Sequence, residues 1–179
     1  MTAMHRDNYE NVYVQVVGQK HFVLLPPIEQ PCVNEQELSQ NRYAPSESAS
    51  STSASSTSNT DQKALALEIQ SQASTEPIPV AVWDPESPAR HCTRYSQFSR
   101  PLRVTLEAGD MLYLPAQWYH KVSQSSGPEG FACAVNYWYD MGFEGSFWAS
   151  NAFVRDVAAR EARRVVYPDL EMGEEEVKK

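Results

Sequence analysis

Residues 12–17 (VYVQVV) and 19–25 (QKHFVLL) constrain the fold of this chain more than any other stretch. Both are built from β-branched and aromatic residues, which suit a pleated, half-buried surface and are crowded in a helix. A single glycine, Gly18, separates them, and Pro26-Pro27 closes the second run. The spacing predicts two strands joined as a hairpin with Gly18-Gln19 at the turn, because glycine supplies the positive φ that a tight turn requires.

The rest of the chain follows the same pattern with one interruption. Residues 28–44 read as an irregular connection. The segment 45–62 (PSESASSTSASSTSNTDQ) is almost wholly Ser, Thr, Ala and Asn, with no apolar face to offset the entropy of ordering it. Residues 63–71 (KALALEIQS) have the composition of a short helix. The whole of 45–75 is expected to be a disordered insertion in a surface loop, which costs little because closure entropy grows only logarithmically with length. Strand patterns resume at 78–84, 101–106, 111–114, within 115–124 (PAQWYHKVSQ, with His120 at the start of the strand) and at 131–139, with a loop over 85–100 and turn signals at EAGD and SSGPEG. From 144 the apolar period lengthens, with Phe147, Val154, Val157, Ala158, Ala162 and Val165 near helical spacing. One amphipathic helix over 146–168 is expected, ended by Pro168, before an acidic tail over 169–179. Short strands, Gly/Pro turns and a closing helix indicate a mainly β chain, a barrel or sandwich spanning 1–145. The apolar face of the helix is expected to pack on this barrel or to pair with a second copy in a homodimer.

Bulk composition narrows the function classes. With 15 basic and 23 acidic residues the formal charge is −8, which disfavours binding to nucleic-acid phosphates. Three cysteines, Cys32, Cys92 and Cys133, lie far apart without CxxC spacing and read as reduced thiols of a cytoplasmic or nuclear protein. No apolar run reaches the roughly 20 residues of a membrane span, and the N-terminus lacks a secretory profile.

The chemistry concentrates at the front. His5 and Asp7 form an HxD pair, and a bend between them can aim both side chains at one metal ion. A third ligand must come from elsewhere, and His120 in GDMLYLPAQWYHKV is the best candidate. Two His and one carboxylate on one face of an octahedron leave three positions open, the facial triad of non-haem Fe(II) oxygenases. Those positions suit a bidentate 2-oxoacid plus O₂. Lys20, after the Gly18 turn, supplies a flexible cation for the far carboxylate of 2-oxoglutarate. Thr2 can add a hydrogen bond to that carboxylate. Asn11 and Asn136, on strands beside the ligands, can orient the co-substrate or the ligands.

The segments TAMHRDNYENVYVQVVGQKHFVLLPP, GDMLYLPAQWYHKV and AVNYWYDM resemble the JmjC-type, cupin-like Fe(II)/2-oxoglutarate dioxygenases. Within these they look like the lysyl hydroxylase branch of jumonji domain-containing protein 7. They are similar, less closely, to the asparaginyl hydroxylase of hypoxia-inducible factor. The family places a Thr three residues before the first His, a Lys fifteen residues after it, a late His, and an Asn in a VN-aromatic-WY strand. Here these fall on Thr2, His5, Asp7, Lys20, His120 and Asn136, and the resemblance covers roughly 1–43 and 78–145. It implies a double-stranded β-helix, with His5, Asp7 and His120 on Fe(II) and Lys20 and Thr2 on 2-oxoglutarate. It further implies decarboxylation of 2-oxoglutarate to succinate and CO₂ as a protein side chain is hydroxylated. In that branch the substrate is a lysine of a translation-factor-family GTPase. The family also carries a long region before the HxD, with the first barrel strands and a Tyr that helps hold 2-oxoglutarate. The chain therefore looks like the C-terminal portion of such an enzyme.

Three other readings compete. HRD also opens the protein-kinase catalytic loop, but its Asn would fall on Val12, and no Gly-rich loop or DFG is present. A non-catalytic cupin remnant acting as an interaction module keeps the fold without turnover. A non-oxygenase cupin, such as a metal-dependent isomerase, has no use for a buried cation at Lys20. His21 and His91 have no partner spacing and read as structural or surface residues.

Overall fold

The structure, a computed structural model, describes residues 1–45, 67–71 and 76–164. Its strands are β1 (Tyr9–Val17), β2 (Gln19–Leu25), β3 (Glu35–Leu38), β4 (Asn41–Pro45), β5 (Leu67–Ser71), β6 (Ile78–Ala81), β7 (Leu102–Leu106), β8 (Met111–Leu114), β9 (Tyr119–Ser125) and β10 (Cys133–Asp140), followed by helix α1 (Ser146–Arg164). The fold is the mainly β, antiparallel cupin-like jelly roll with one C-terminal helix that the sequence suggests. The acidic tail over 169–179 lies outside the described residues.

Two compact units are present, residues 1–35 with 81–179 and residues 36–80. The first contains two three-stranded sheets, ordered β10-β1-β8 and β7-β2-β9. The predicted hairpin is therefore wrong: β1 and β2 lie in different sheets. Gly18, at φ +70°, turns the chain from one to the other, and a Cβ there would sit 2.6 Å from the Ser125 carbonyl oxygen. The register of β1 on β10 slips between Gln15 and Val17 just before this corner, as expected where a strand bends out of its sheet.

Strand alternation places Tyr13 and Leu114 of one sheet against Phe22, Leu24, Leu106 and Val122 of the other, forming a shared core. Tyr13 meets Phe22 edge to face, with ring centroids 5.1 Å apart. The opposite face of β2 is also covered, since Val23 and Leu25 pack with Met4, Val33, Trp83 and Tyr119. This double burial is why 22–25 reads as an unbroken apolar run. Helix α1 lies against a 3₁₀ turn at Pro27–Cys32. Its Glu161 accepts a hydrogen bond from Arg94 at 2.5 Å.

In the second unit β3 pairs with β6, and β4 with β5 in an antiparallel ribbon that sets Tyr43 opposite Ile69. Two expectations are corrected here. Residues 28–44 hold a 3₁₀ turn and two strands instead of an irregular connection. Residues 67–71, read as the end of a helix, form β5, because pairing with β4 outweighs a weak local preference. The remainder of the Ser-rich stretch, 46–66 and 72–75, lies outside the described residues. No helix among the described residues is long and apolar enough to cross a membrane.

Candidate metal centre

Residues 2–7 run antiparallel to the edge of β9 that β2 does not use. Thr2 N–H donates to the Val122 carbonyl at 2.8 Å, and Val122 N–H donates to Thr2 Oγ1 at 3.0 Å. His5 and His120 then exchange both backbone hydrogen bonds, at 3.1 and 2.7 Å. A reciprocal antiparallel pair puts both side chains on one side of the ladder. The two imidazoles accordingly meet with centroids 4.1 Å apart. Gln117 N–H donates to the Asp7 carbonyl at 2.9 Å and fixes the end of the segment.

Asp7 joins the pair. Its Oδ2 is 3.6 Å from His120 Nε2 and 3.9 Å from His5 Nε2, too long for hydrogen bonds. One donor atom from each of the three residues lies within 4.8 Å of the others. A first-row ion about 2.1 Å from each ligand would place neighbouring ligands about 3 Å apart, so the cluster needs a contraction of about 1 Å to hold one. The tautomers suit this. His5 Nδ1 lies 2.8 Å from the Ala3 carbonyl and His120 Nδ1 lies 3.1 Å from that of Trp118, so each Nδ1–H is donated to backbone and each Nε2 lone pair is free. His120 is 2% exposed. Burial, then His5, push its imidazole below the usual value against the pull of the Trp118 carbonyl and Asp7, favouring the neutral form a metal binds.

The remaining candidates are spread over the inner faces of the sheets. Lys20 shares the face of β2 that carries Phe22 and Leu24, and Leu24 is the register partner of His120. Lys20 thus lies four residues, or roughly 13 Å of strand, deeper than the cluster. Its Nζ sits 5.1 Å from the Tyr13 ring centroid, and burial pushes the ammonium below its usual value. Asn11 is buried between Leu114 and Trp138 in register, and its Oδ1 has no partner among the described residues. Thr2 is exposed and its oxygen takes the Val122 N–H, leaving its hydroxyl hydrogen to donate. Asn136 stands opposite Tyr13 on β10 and is exposed.

Three relevant residues escaped the sequence reading. Tyr13 and Gln15 share the inner face of β1 with Asn11, a placement that the alternation Asn-x-Tyr-x-Gln encodes. Gln15 is 1% exposed, with an Oε1 that has no partner among the described residues. Gln117 holds φ +68° at the break after Pro115 and is 1% exposed. Its amide binds Asn8 and the Asp7 carbonyl and accepts from Arg6 Nη1 at 2.8 Å. No local motif announces a Gln in that role.

A model of the cupin-like domain matches residues 1–145. The chain belongs to the cupin-like domain family, and the relatives it resembles are JmjC proteins. It is 35% identical over 153 residues to the lysine-specific demethylase JMJ32 of Arabidopsis thaliana, covering 80% of this chain. It is 34% identical over 146 residues to the human bifunctional peptidase and (3S)-lysyl hydroxylase JMJD7, again over 80% of this chain. It is 30% identical over 151 residues, 79% of this chain, to JmjC domain-containing protein E of Dictyostelium discoideum. In each case the chain spans 39% of the relative's length.

Proposed function

We propose that this chain carries the metal- and co-substrate-binding part of an Fe(II)- and 2-oxoglutarate-dependent oxygenase that hydroxylates a protein side chain, a lysine in the first instance. The family supports the class, since JmjC-domain proteins are 2-oxoglutarate oxygenases. One observation carries the reading: two Nδ1–H groups tied to backbone carbonyls leave two Nε2 atoms and one carboxylate oxygen grouped within 4.8 Å.

Each residue then has a physical task. Backbone pairing between His5 and His120 fixes the separation of the imidazoles before any ion arrives. Asp7 contributes the single negative charge of the donor set, suiting a hard divalent ion more than a soft one. Three donors on one side leave the opposite side open to small ligands. Lys20 offers a cation on the same inner face, four strand residues deeper than the partner of His120, for the far carboxylate of 2-oxoglutarate. Asn11 and Gln15 supply buried polar atoms that have no partner among the described residues, which an apolar core would not retain at no gain. Fe(II) with 2-oxoglutarate supplies the oxidation of a C–H bond by O₂, with succinate and CO₂ as by-products. The resemblance favours a lysine of a translation-factor-family GTPase as the substrate, and the three separated cysteines favour cytoplasm or nucleus as the compartment.

The test is conversion of 2-oxoglutarate to succinate with Fe(II) and ascorbate. His120→Ala is expected to abolish it, and unchanged turnover in that variant refutes the triad. Lys20→Ala is expected to raise the apparent KM for 2-oxoglutarate about tenfold, a charge-assisted contact being worth about 1.5–3 kcal/mol, with the iron requirement unmoved. Equal effects on both would remove Lys20 from its role.

A further inference from the structure

Arg6 stands between His5 and Asp7 and, on an extended segment, points to the other side. Its Nε donates to Glu35 Oε1 at 3.1 Å and its Nη1 to Gln117 Oε1 at 2.8 Å. Glu35 gathers more than Arg6. Its Oε1 also accepts the Tyr119 hydroxyl at 2.7 Å, and its Oε2 accepts Arg155 Nε of helix α1 at 3.1 Å. The three charged side chains are 8%, 13% and 25% exposed for Glu35, Arg6 and Arg155. One shielded carboxylate therefore joins the residue between two clustered side chains to the C-terminal helix and to Tyr119, the chain neighbour of His120.

We propose that Glu35 is a positioning residue for the metal centre, linking Arg6 to Arg155 so that the seating of helix α1 sets the spacing of His5 and Asp7. The proposal rests on the reading of His5, Asp7 and His120 as metal ligands. Its physical basis is simple. Residues 2–7 are held along β9 by a few backbone hydrogen bonds, and Arg6 provides their charged side-chain anchor. Without the Glu35 carboxylate two guanidinium groups would face each other with no anion between them, and Arg6 would move away. His5 and Asp7, on either side of it, would move with it. Groups that orient ligands without touching the metal commonly change affinity 10- to 100-fold when removed.

The experiment is a Co(II) titration of the full chain, followed by visible absorption, with thermal unfolding measured alongside. Wild type is expected to bind and His120→Ala to lose binding; equal behaviour of the two overturns the triad and this proposal together. With the triad standing, Glu35→Gln is expected to weaken Co(II) affinity about 10-fold and Arg155→Ala about 3-fold, with Arg155→Lys recovering part of the loss. The double variant is expected to bind no more weakly than Glu35→Gln alone. Co(II) affinity unchanged in Arg155→Ala while its Tm falls would overturn the linkage, as would losses that multiply in the double variant. Should Glu35→Gln fail to fold, the Arg155→Ala and Arg155→Lys pair decides the matter.

Discussion

Strands β9 and β10 look alike as sequence and differ in the fold. YHKVSQS and CAVNYWYD both mix β-branched and aromatic residues with polar ones. Yet the first four residues of β9 are all buried, whereas β10 is exposed along most of its length. Neighbours cause the difference. β9 has β2 on one side and residues 2–7 on the other, with Tyr119 in one core and Val122 in the second. β10 pairs with β1 alone among the described residues. Strand propensity reports a pleated backbone and leaves burial undecided. A rigid ligand needs the buried strand, and His120 is on it.

The sharpest way to break this comparison is to truncate the buried aromatic. Tyr119 is 1% exposed and packs against Met4, Trp83 and Leu25. Tyr119→Ala is expected to cost about 3–5 kcal/mol by chemical denaturation, as large-to-small core changes do. A cost under about 1 kcal/mol would mean the core of Met4, Leu25, Trp83 and Tyr119 is not formed in solution.

The grouping of His5, Asp7 and His120 was legible because the HxD pair and the GD…P…H context together match one family pattern, even though far-separated segments had to meet. Lys20 was singled out by its offset from His5, and strand alternation sets it on the face that carries Phe22 and Leu24. What failed was partnership. Gly18 with positive φ serves a hairpin and a change of sheet equally well, so QVVGQKH cannot say which occurs. KALALEIQS has helical composition, and only the position of 41–45 turns its second half into a strand. Glu35 was unreadable for the same reason: its partners Arg6, Tyr119 and Arg155 come from three distant segments.

Gly18→Ala tests the corner on which the two sheets depend. The alanine would be strained at φ +70° and would press on the Ser125 carbonyl of β9. The expected loss is about 1–3 kcal/mol, from strain in a rarely adopted region. A neutral or stabilising outcome would show that the chain passes from β1 to β2 by another path.

A weaker effect belongs to pH. Burial alone would raise the Glu35 carboxyl, but the Tyr119 hydroxyl, Arg155 and Arg6 outweigh it and hold the group below the usual carboxylate range. Its contribution to stability is therefore complete above the unfolded carboxylate pKa and is lost as pH falls through the lower folded value. Stability measured from neutral to strongly acidic pH is expected to fall on the acid side, and more gently in Glu35→Gln. Identical acid slopes would show that Glu35 is not preferentially ionised in the fold.

The smallest change is expected on β10, and it sharpens the contrast from the other side. Trp138 is 57% exposed and stacks on Tyr9 with centroids 5.5 Å apart. Trp138→Ala removes that stacking and a modest apolar contact, worth about 0.5–1.5 kcal/mol together. This lies well below the expected cost at Tyr119, although tryptophan is the larger side chain. Size alone would predict the reverse order, so the ranking isolates what neighbours contribute. A Trp138→Ala loss equal to that of Tyr119→Ala would mean that the open face of β10 is covered in solution, and the difference between the two strands would vanish.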